Sequence, residues 1–203
     1  MTSTHQELEA KFYITNPKAL EGRLNALGAE LIQPRTHEFN LRFDTPDQKL
    51  AKEYRLLRLR KDQTVHLTYK GPAITQDGVS VREEIEVLVG DFETTKQLLH
   101  ALGYVVTAIY EKYRTTYELN HNHITIDEMP FGTFAEVEGP DAERIKTTAE
   151  KLGLDQDAHI SENYLAIFYC LKETYQLDFD AITFENFEGI EIELEGIGIR
   201  AAD

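Results

Sequence analysis

Five short segments of the sequence place charged residues at every second position, and this alternation constrains the fold more than any other feature. The first is Glu7-Leu8-Glu9-Ala10-Lys11. The others contain Arg58 and Arg60; Arg82, Glu84 and Glu86; Lys112 and Arg114; and Glu136 and Glu138. Alternate side chains of a β-strand point to opposite faces. Each segment therefore predicts a strand with one charged face.

The opposite faces of these strands are largely apolar. They carry Leu8, Leu59, Ile85 and Val137, while Phe134 is placed on the charged face. One such strand is typical of the solvated side of an antiparallel sheet, but a sheet with five of them can close into a barrel with a charged lumen. We predict an α+β fold, an eight-stranded and mainly antiparallel β-barrel with flanking α-helices.

Helix signals separate these strands. Asn16-Pro17 predicts a helix start with Gly28 as its end, and Gly90-Asp91 predicts a second helix that stops at Gly103. Further helices are predicted after Gly139-Pro140 and after Ser161 as a cap.

The C-terminal part of the chain differs in composition. Residues 173–203 hold nine acidic residues and one Arg, and residues 189–195 alternate like an edge strand. We divide the chain into a tunnel domain, residues 1–172, and an acidic C-terminal extension, residues 173–203, of unknown role.

Composition limits the location and the partners. The net charge of −15 argues against nucleic acid as a partner, and no apolar run is long enough to span a membrane. No signal peptide is apparent, so a cytoplasmic location is expected. Cys170 is the single cysteine, which excludes an intramolecular disulfide. A homodimer is left open.

The charged residues suggest a metal site facing a phosphate site. Glu7, Glu9, Glu136 and Glu138 offer the oxygen ligands that Mg²⁺ or Mn²⁺ prefers, and Asp127 could reach the same end of the lumen. The opposite wall would carry cations suited to phosphate. These cations are Lys11, Arg58, Arg60, Lys70, Arg82, Lys112 and Arg114.

In order and spacing over about residues 5–171, these motifs resemble the CYTH superfamily, the triphosphate tunnel metalloenzymes. The resemblance rests on Glu7-x-Glu9-x-Lys11, Leu57-Arg58-Leu59-Arg60, Arg82-Glu83-Glu84-Ile85-Glu86, Glu111-Lys112-x-Arg114 and Gly132-Thr133-Phe134-x-Glu136-Val137-Glu138-Gly139. It implies that the four glutamates Glu7, Glu9, Glu136 and Glu138 bind metal and that the seven cations cradle a triphosphate. It also implies Asp127, Glu84 and Glu86 as catalytic candidates, while Arg42 stands where an aromatic residue is common.

The resemblance leaves three functions open. The first is metal-dependent hydrolysis of a triphosphate, either inorganic triphosphate, a nucleoside triphosphate such as ATP, or thiamine triphosphate. The second is a class IV adenylate cyclase that converts ATP to cyclic AMP and pyrophosphate, and the third is a non-catalytic polyphosphate- or nucleotide-binding module. We rank hydrolysis slightly ahead of cyclisation, since the residues common to both reactions do not separate them and the class IV cyclase label does not fix the activity. Both glutamate pairs are intact, which argues against a non-catalytic module.

Overall fold

The computed structural model of the chain describes residues 5–76 and 79–203. Its strands are β1 (His5–Ile14), β2 (Glu30–Asp44), β3 (Leu56–Lys61), β4 (Val65–Lys70), β5 (Ile74–Gln76), β6 (Val79–Leu88), β7 (Val105–Leu119), β8 (Asn122–Met129), β9 (Gly132–Glu138) and β10 (His159–Ile160). Its helices are α1 (Pro17–Ala26), α2 (Lys49–Lys52), α3 (Phe92–Ala101), α4 (Ala142–Lys151) and α5 (Tyr164–Tyr175).

Eight of the strands close into a ring. The pairing order is β1-β9-β8-β7-β2-β3-β4-β6, and β6 pairs again with β1. Every one of these strand pairs is antiparallel. The predicted eight-stranded antiparallel barrel with flanking helices is therefore confirmed. The short strands β5 and β10 extend β6 and β1 outside the ring.

The helices begin where side-chain caps satisfy their first N–H groups. Asn16 accepts from the N–H of Ala19, and Asp91 accepts from that of Thr94, as the sequence indicates. The cap of α5 is Asn163 and not the predicted Ser161, because the Asn163 amide oxygen accepts from the N–H groups of both Leu165 and Ala166.

The apolar core lies outside the ring, between the strands and the helices. One cluster joins α1 and α4 to β1, β8 and β9, with Leu20, Leu24 and Ile145 completely buried. A second packs Phe92 and Leu99 of α3 against β2 and β3. A third lies under α5. This arrangement leaves the interior of the ring to the charged faces.

The C-terminal segment, residues 176–203, packs against the third cluster through Leu177, Ile182, Phe187 and Leu194. The predicted strand at residues 189–195 does not form. This stretch is irregular and leads into a 3₁₀ turn at Leu194–Ile197, and its apolar side chains pack inward with no neighbouring strand to complete a ladder.

The predicted domain boundary after residue 172 falls inside α5, so that helix continues across it. The segment beyond α5 returns to β1, where the Ala202 N–H donates to the Tyr13 carbonyl and the Asp203 carboxylate accepts from the Thr15 and Asn16 N–H groups. No helix in the described ranges is long and apolar enough to cross a membrane.

Candidate triphosphate site

The ring encloses a cavity of about 840 Å³ that is lined mainly by charged side chains. All the sequence-predicted site residues except Asp127 face it. Its charged lining consists of Glu7, Glu9, Lys11, Arg42, Arg55, Arg58, Arg60, Lys70, Arg82, Glu84, Glu86, Lys112, Arg114, Glu136 and Glu138.

The strand register sorts these groups onto opposite walls. On β1 and β9, Glu9 lies opposite Glu138. On β2 and β3, Arg42 lies opposite Arg58. In the eight-strand ring, β2 is four strands from β1 and β3 is four strands from β9. A carboxylate-bearing wall therefore faces an arginine-bearing wall across the cavity.

Glu7 holds two of the cradle cations in place. Its carboxylate accepts from Lys70 Nζ at 2.6 and 2.7 Å and from Arg82 Nε at 3.0 Å. Burial opposes ionisation of Glu7, but the charges of Lys70 and Arg82 outweigh it and lower the pKa of Glu7 to about 2. In this arrangement the Glu7 carboxylate pairs with two cations and is not free to bind a metal ion.

Asp127 points into the ring on the same face as Arg114 but is fully buried and outside the cavity lining, where it fixes a second set of cations. Its carboxylate accepts from Lys112 Nζ at 2.8 Å, from two Arg114 nitrogens at 2.6 and 2.5 Å, and from the Tyr164 hydroxyl at 3.0 Å. Despite burial, these two cations lower the pKa of Asp127. Asp127 is thus placed to orient cations.

Glu136 and Glu38 complete this cluster of ion pairs. Glu136 contacts Arg114 at 2.6 Å and Lys11 at 3.6 Å. Glu38, which is buried, lies 3.5 Å from Lys112 Nζ. Lys112 and Arg114 therefore each approach two carboxylates, which offsets the cost of burying them.

Glu84 and Glu86 face the cavity from β6 in different states. Burial raises the pKa of Glu84, with Glu7 adding to that rise and Lys70, 3.1 Å away, opposing it. Glu86 accepts a hydrogen bond from the Thr68 hydroxyl at 2.7 Å. Burial opposes ionisation of Glu86, but this hydrogen bond and the charge of Arg60 outweigh it and lower the pKa of Glu86. Glu84 is the more readily protonated of the two.

Glu9 and Glu138 are the carboxylates best suited to a divalent cation. Burial and the neighbouring Glu136 and Glu7 raise the pKa of Glu9, whose nearest ion-pair partner, Arg82, is 3.8 Å away. Burial and Glu7 also raise the pKa of Glu138, which is exposed at the cavity rim. Two acids whose ionisation is opposed by burial and by neighbouring carboxylates fit a cation that would relieve this repulsion.

The four predicted metal ligands do not gather at one point. Within residues 5–76 and 79–203, no three Asp, Glu, His or Cys side chains converge closely enough to hold a metal ion. Glu7 and Glu136 are turned to Lys and Arg partners instead. The pair Glu9 and Glu138 still fits Mg²⁺ or Mn²⁺, because Mg²⁺ usually completes its shell with water and substrate phosphate.

The comparison with known proteins agrees with this geometry. Residues 5–169 match the CYTH domain profile. The chain belongs to the CYTH family. A protein of Methanocaldococcus jannaschii described provisionally as an adenylate cyclase is 32% identical over 135 residues, 65% of this chain and 75% of that one.

Solved structures share the architecture. A protein of Vibrio parahaemolyticus, described provisionally as an adenylate cyclase, matches with a TM-score of 0.74 and 22% identity over 82% of this chain and 99% of its own. A Hippeastrum protein, provisionally an adenylyl cyclase and described as having a dominant triphosphatase activity, matches with a TM-score of 0.61 and 21% identity. It covers 80% of this chain and 95% of its own.

Three site residues of this CYTH domain have no role in the sequence analysis. Glu38 and Arg42 face inward on β2, and the alternation of Glu38, Asn40 and Arg42 could have indicated this. Tyr164, the first residue of α5, lies with its ring 4.3 Å from Lys11 Nζ and donates to Asp127. Only the packing of α5 on the ring reveals that contact.

Proposed function

We propose that this CYTH domain is a divalent-metal-dependent triphosphatase that hydrolyses an inorganic, nucleoside or thiamine triphosphate inside its tunnel. The observation that carries the proposal is the opposition of Glu9 and Glu138 to the arginine wall across one cavity. Phosphoryl transfer requires mainly positioning and neutralisation of phosphate charge, which is what these two walls offer.

The cradle consists of the seven cations predicted from the sequence. Lys11, Arg58, Arg60, Lys70, Arg82, Lys112 and Arg114 all line the cavity. Glu7 and Asp127 hold four of them at fixed positions, so little reorganisation would be needed when a phosphate chain binds. Mg²⁺ or Mn²⁺ at Glu9 and Glu138 would neutralise further phosphate charge and polarise the bond to be broken.

Glu84 is the residue we assign to accept a proton from the attacking water. It faces the cavity, and its raised pKa moves it toward the range in which a carboxylate exchanges protons near neutral pH. Glu86 is assigned to positioning Arg58 and Arg60, which lie 3.7 and 3.6 Å from its carboxylate. Asp127, on the inward face opposite Arg114, is assigned to positioning Lys112 and Arg114.

A class IV adenylate cyclase is the second candidate. It is favoured by the M. jannaschii relative, which is 32% identical and is described provisionally as an adenylate cyclase. Cyclisation would use the same cradle, with the ribose 3′-hydroxyl of ATP attacking the α-phosphorus and pyrophosphate leaving.

A product assay separates the candidates. Purified protein is incubated with ATP, inorganic triphosphate or thiamine triphosphate, each with Mg²⁺ or Mn²⁺, and the products are resolved by chromatography. Free phosphate without cyclic AMP supports the triphosphatase, whereas cyclic AMP with pyrophosphate supports the cyclase. Absence of turnover with every substrate contradicts both and favours a binding module.

The cytoplasmic location, the absence of a nucleic-acid partner and a homodimer stay predictions.

A further inference from the structure

The Glu86 carboxylate lies between two arginines of the cradle without a hydrogen bond to either. Its oxygens are 3.7 Å from Arg58 Nη2 and 3.6 Å from Arg60 Nη2, which exceeds hydrogen-bond length. A carboxylate in contact with a guanidinium ordinarily forms a closer and often bidentate pair. The Nε–H of Arg58 is also buried and has no hydrogen-bond partner among the described residues. The arginines therefore keep donors that Glu86 does not occupy.

Two donors on β4 hold the Glu86 oxygens in place of the arginines. The Thr68 hydroxyl donates to Oε2 at 2.7 Å, and His66 Nδ1 lies 2.8 Å from Oε1. Burial opposes ionisation of Glu86, but the Thr68 hydrogen bond and the charge of Arg60 lower its pKa. An ionised carboxylate can only accept, so the hydrogen of this contact belongs to His66 Nδ1. His66 and Thr68 are two positions apart on β4 and share one face, so a single strand fixes both oxygens.

The His66 ring is itself fixed by the turn between β3 and β4. Its Nε2 lies 2.6 Å from the Thr64 hydroxyl, and the Thr64 N–H donates to the Asp62 carboxylate at 2.8 Å. His66 is directly opposite Arg60 in the β3–β4 register. Among the described residues it is outside the cavity lining, whereas Glu86 and Arg60 belong to that lining. His66 is thus placed to influence the arginines through Glu86 and not through the ligand.

Loss of the His66 donor would free one oxygen of Glu86. An ionised carboxylate beside two guanidinium groups gains a charge-assisted hydrogen bond when it turns toward them. The resulting pair would have to break before an anion could use the same donors, and this lowers affinity. The His66 hydrogen bond opposes such pairing, because it occupies Oε1, the Glu86 oxygen that lies nearest to Arg60.

We propose that His66 is a positioning residue of the tunnel. By holding Glu86 Oε1, it keeps Arg58 and Arg60 from pairing closely with Glu86 and leaves their donors free for the ligand. Glu86 then acts on the arginines through its charge and not through a hydrogen bond. The inference rests on the proposed function in so far as the ligand is a triphosphate.

A double-mutant cycle tests the proposal by binding without turnover. Inorganic triphosphate is titrated calorimetrically into the full chain with a chelator present, so that hydrolysis does not interfere. His66→Phe keeps a ring but removes the donor, and it is expected to weaken binding about fivefold or more, the scale of one intramolecular hydrogen bond. In a Glu86→Gln background the same substitution should change the affinity less than about twofold, because no carboxylate remains to pair with the arginines.

His100→Phe is the matched control. His100 also uses its Nδ1, which donates to the Tyr104 carbonyl at 3.0 Å, but it lies on α3 outside the ring. Its substitution should change the affinity less than about twofold. Two results would overturn the inference. One is an unchanged affinity in His66→Phe, and the other is an equal loss in the wild-type and Glu86→Gln backgrounds, which would show that His66 acts without Glu86.

Two amide variants separate positioning from a merely structural role, and they decide the question if His66→Phe does not fold. An Asn amide can place an N–H near the position of Nδ1, whereas a Gln amide reaches the position of Nε2. His66→Asn should stay within about twofold of the wild-type affinity, and His66→Gln should lose about fivefold, as expected for Phe. Equal affinities of the two amide variants would contradict the proposal.

Failure of the proposed function has a different signature. A wild-type protein that binds inorganic triphosphate and loses that affinity in His66→Phe, yet turns over no triphosphate with Mg²⁺ or Mn²⁺, would leave the role of His66 standing and contradict the hydrolase. Turnover by the wild type with no effect of His66→Phe on metal-free binding would do the reverse.

Discussion

The carboxylates inside the ring divide into two groups according to the side chains that face them. Glu7 and Asp127 each contact two cations, which keeps them ionised despite burial. Glu9 and Glu138 face other carboxylates, which opposes their ionisation. The first group contributes to stability and to the position of the cations, and the second is the pair to which we assign a divalent cation.

Glu9→Gln should stabilise the metal-free protein. The substitution removes a buried charge repelled by Glu136 and Glu7. We expect the melting temperature at pH 7 to rise by about 2 °C or more, since about 1 kcal/mol corresponds to 2–4 °C for a chain of this size. The stabilisation of the wild type by added Mg²⁺ or Mn²⁺ should shrink. Calorimetry measures both, with Glu188→Gln as an exposed control. A lower melting temperature would instead show that Glu9 is held by Arg82.

Asp127→Asn should lower the free energy of unfolding by about 3 kcal/mol, because it leaves Lys112 and Arg114 buried beside a neutral group. Tyr164→Phe removes one hydrogen bond to the same carboxylate and should cost about 1 kcal/mol. Urea unfolding provides the measurement. Asp180→Asn, which removes an exposed ion pair with Lys172, is the control. Full stability with lost turnover in Asp127→Asn would assign Asp127 to catalysis.

The decrease in the free energy of unfolding at acid pH should depend on Glu7. Its folded pKa of about 2 lies below the ordinary value of 4.5. The stability that Glu7 contributes is therefore present above about pH 4.5 and lost as the pH falls from there toward about 2. In Glu7→Gln, the free energy of unfolding should decline less steeply between these pH values. Equal slopes for the two proteins in acid titration would contradict the ion pairs of Glu7.

At the scale of elements, α5 and the C-terminal segment close one side of the ring together. Tyr164 at the start of α5 reaches Asp127 inside, while Phe168 on the same helix packs against Phe179 and Phe187 of the C-terminal segment. The acidic segment is thus apolar toward the barrel and charged toward solvent. Any role of its acids in function stays open to experiment, but its apolar side chains contribute to the core.

Phe187→Ala tests that contribution. Phe187 is buried and contacts Phe131, Phe168 and Phe179 at ring-centroid distances of 6.0, 6.2 and 5.1 Å. Its truncation should lower the free energy of unfolding by about 3 kcal/mol through lost burial and the resulting cavity. Leu98→Ala, at a 59% exposed position of α3, should change it by less than about 0.5 kcal/mol. A similar small effect at Phe187 would mean that the C-terminal segment is only loosely attached.

At the scale of the whole molecule, a chain with a net charge of −15 encloses a cavity with an excess of cations in its lining. The outer surface repels an anionic ligand, while the tunnel wall attracts it at short range. Salt screens the outer repulsion and also the attraction by the cavity cations, because the cavity is open to solvent. The dependence of ligand affinity on ionic strength therefore measures the balance between outer repulsion and inner attraction.

We expect the affinity for inorganic triphosphate to fall several-fold when ionic strength rises from about 0.05 M to about 0.5 M, because the cavity is open to solvent and its cations are screened. Calorimetric titration at several salt concentrations measures this, and thermal melting in parallel confirms that the fold persists. An affinity that does not change, or rises, would show that the outer negative charge dominates binding.

The sequence by itself determined the eight strands of the ring and most of its inward-facing charges. A period-2 pattern states which side chains share a face, and Asn16, Asp91 and the glycines mark the helix ends. The same pattern gave a wrong strand prediction at residues 189–195, because alternation requires only an extended chain with one face packed. A strand also requires a neighbour with free backbone groups, which sequence periodicity does not report.

Only the tertiary structure decided how the charges are paired. Register across strands placed Glu7 against Lys70 and Arg82, Asp127 opposite Arg114, and Arg42 opposite Arg58. These partners are separated by 13 to 75 residues along the chain. Electrostatic energies depend on distances of a few ångströms and on burial, and both are set by barrel closure. The residue types were therefore readable in advance, whereas the pairing of each charge with its partners was not.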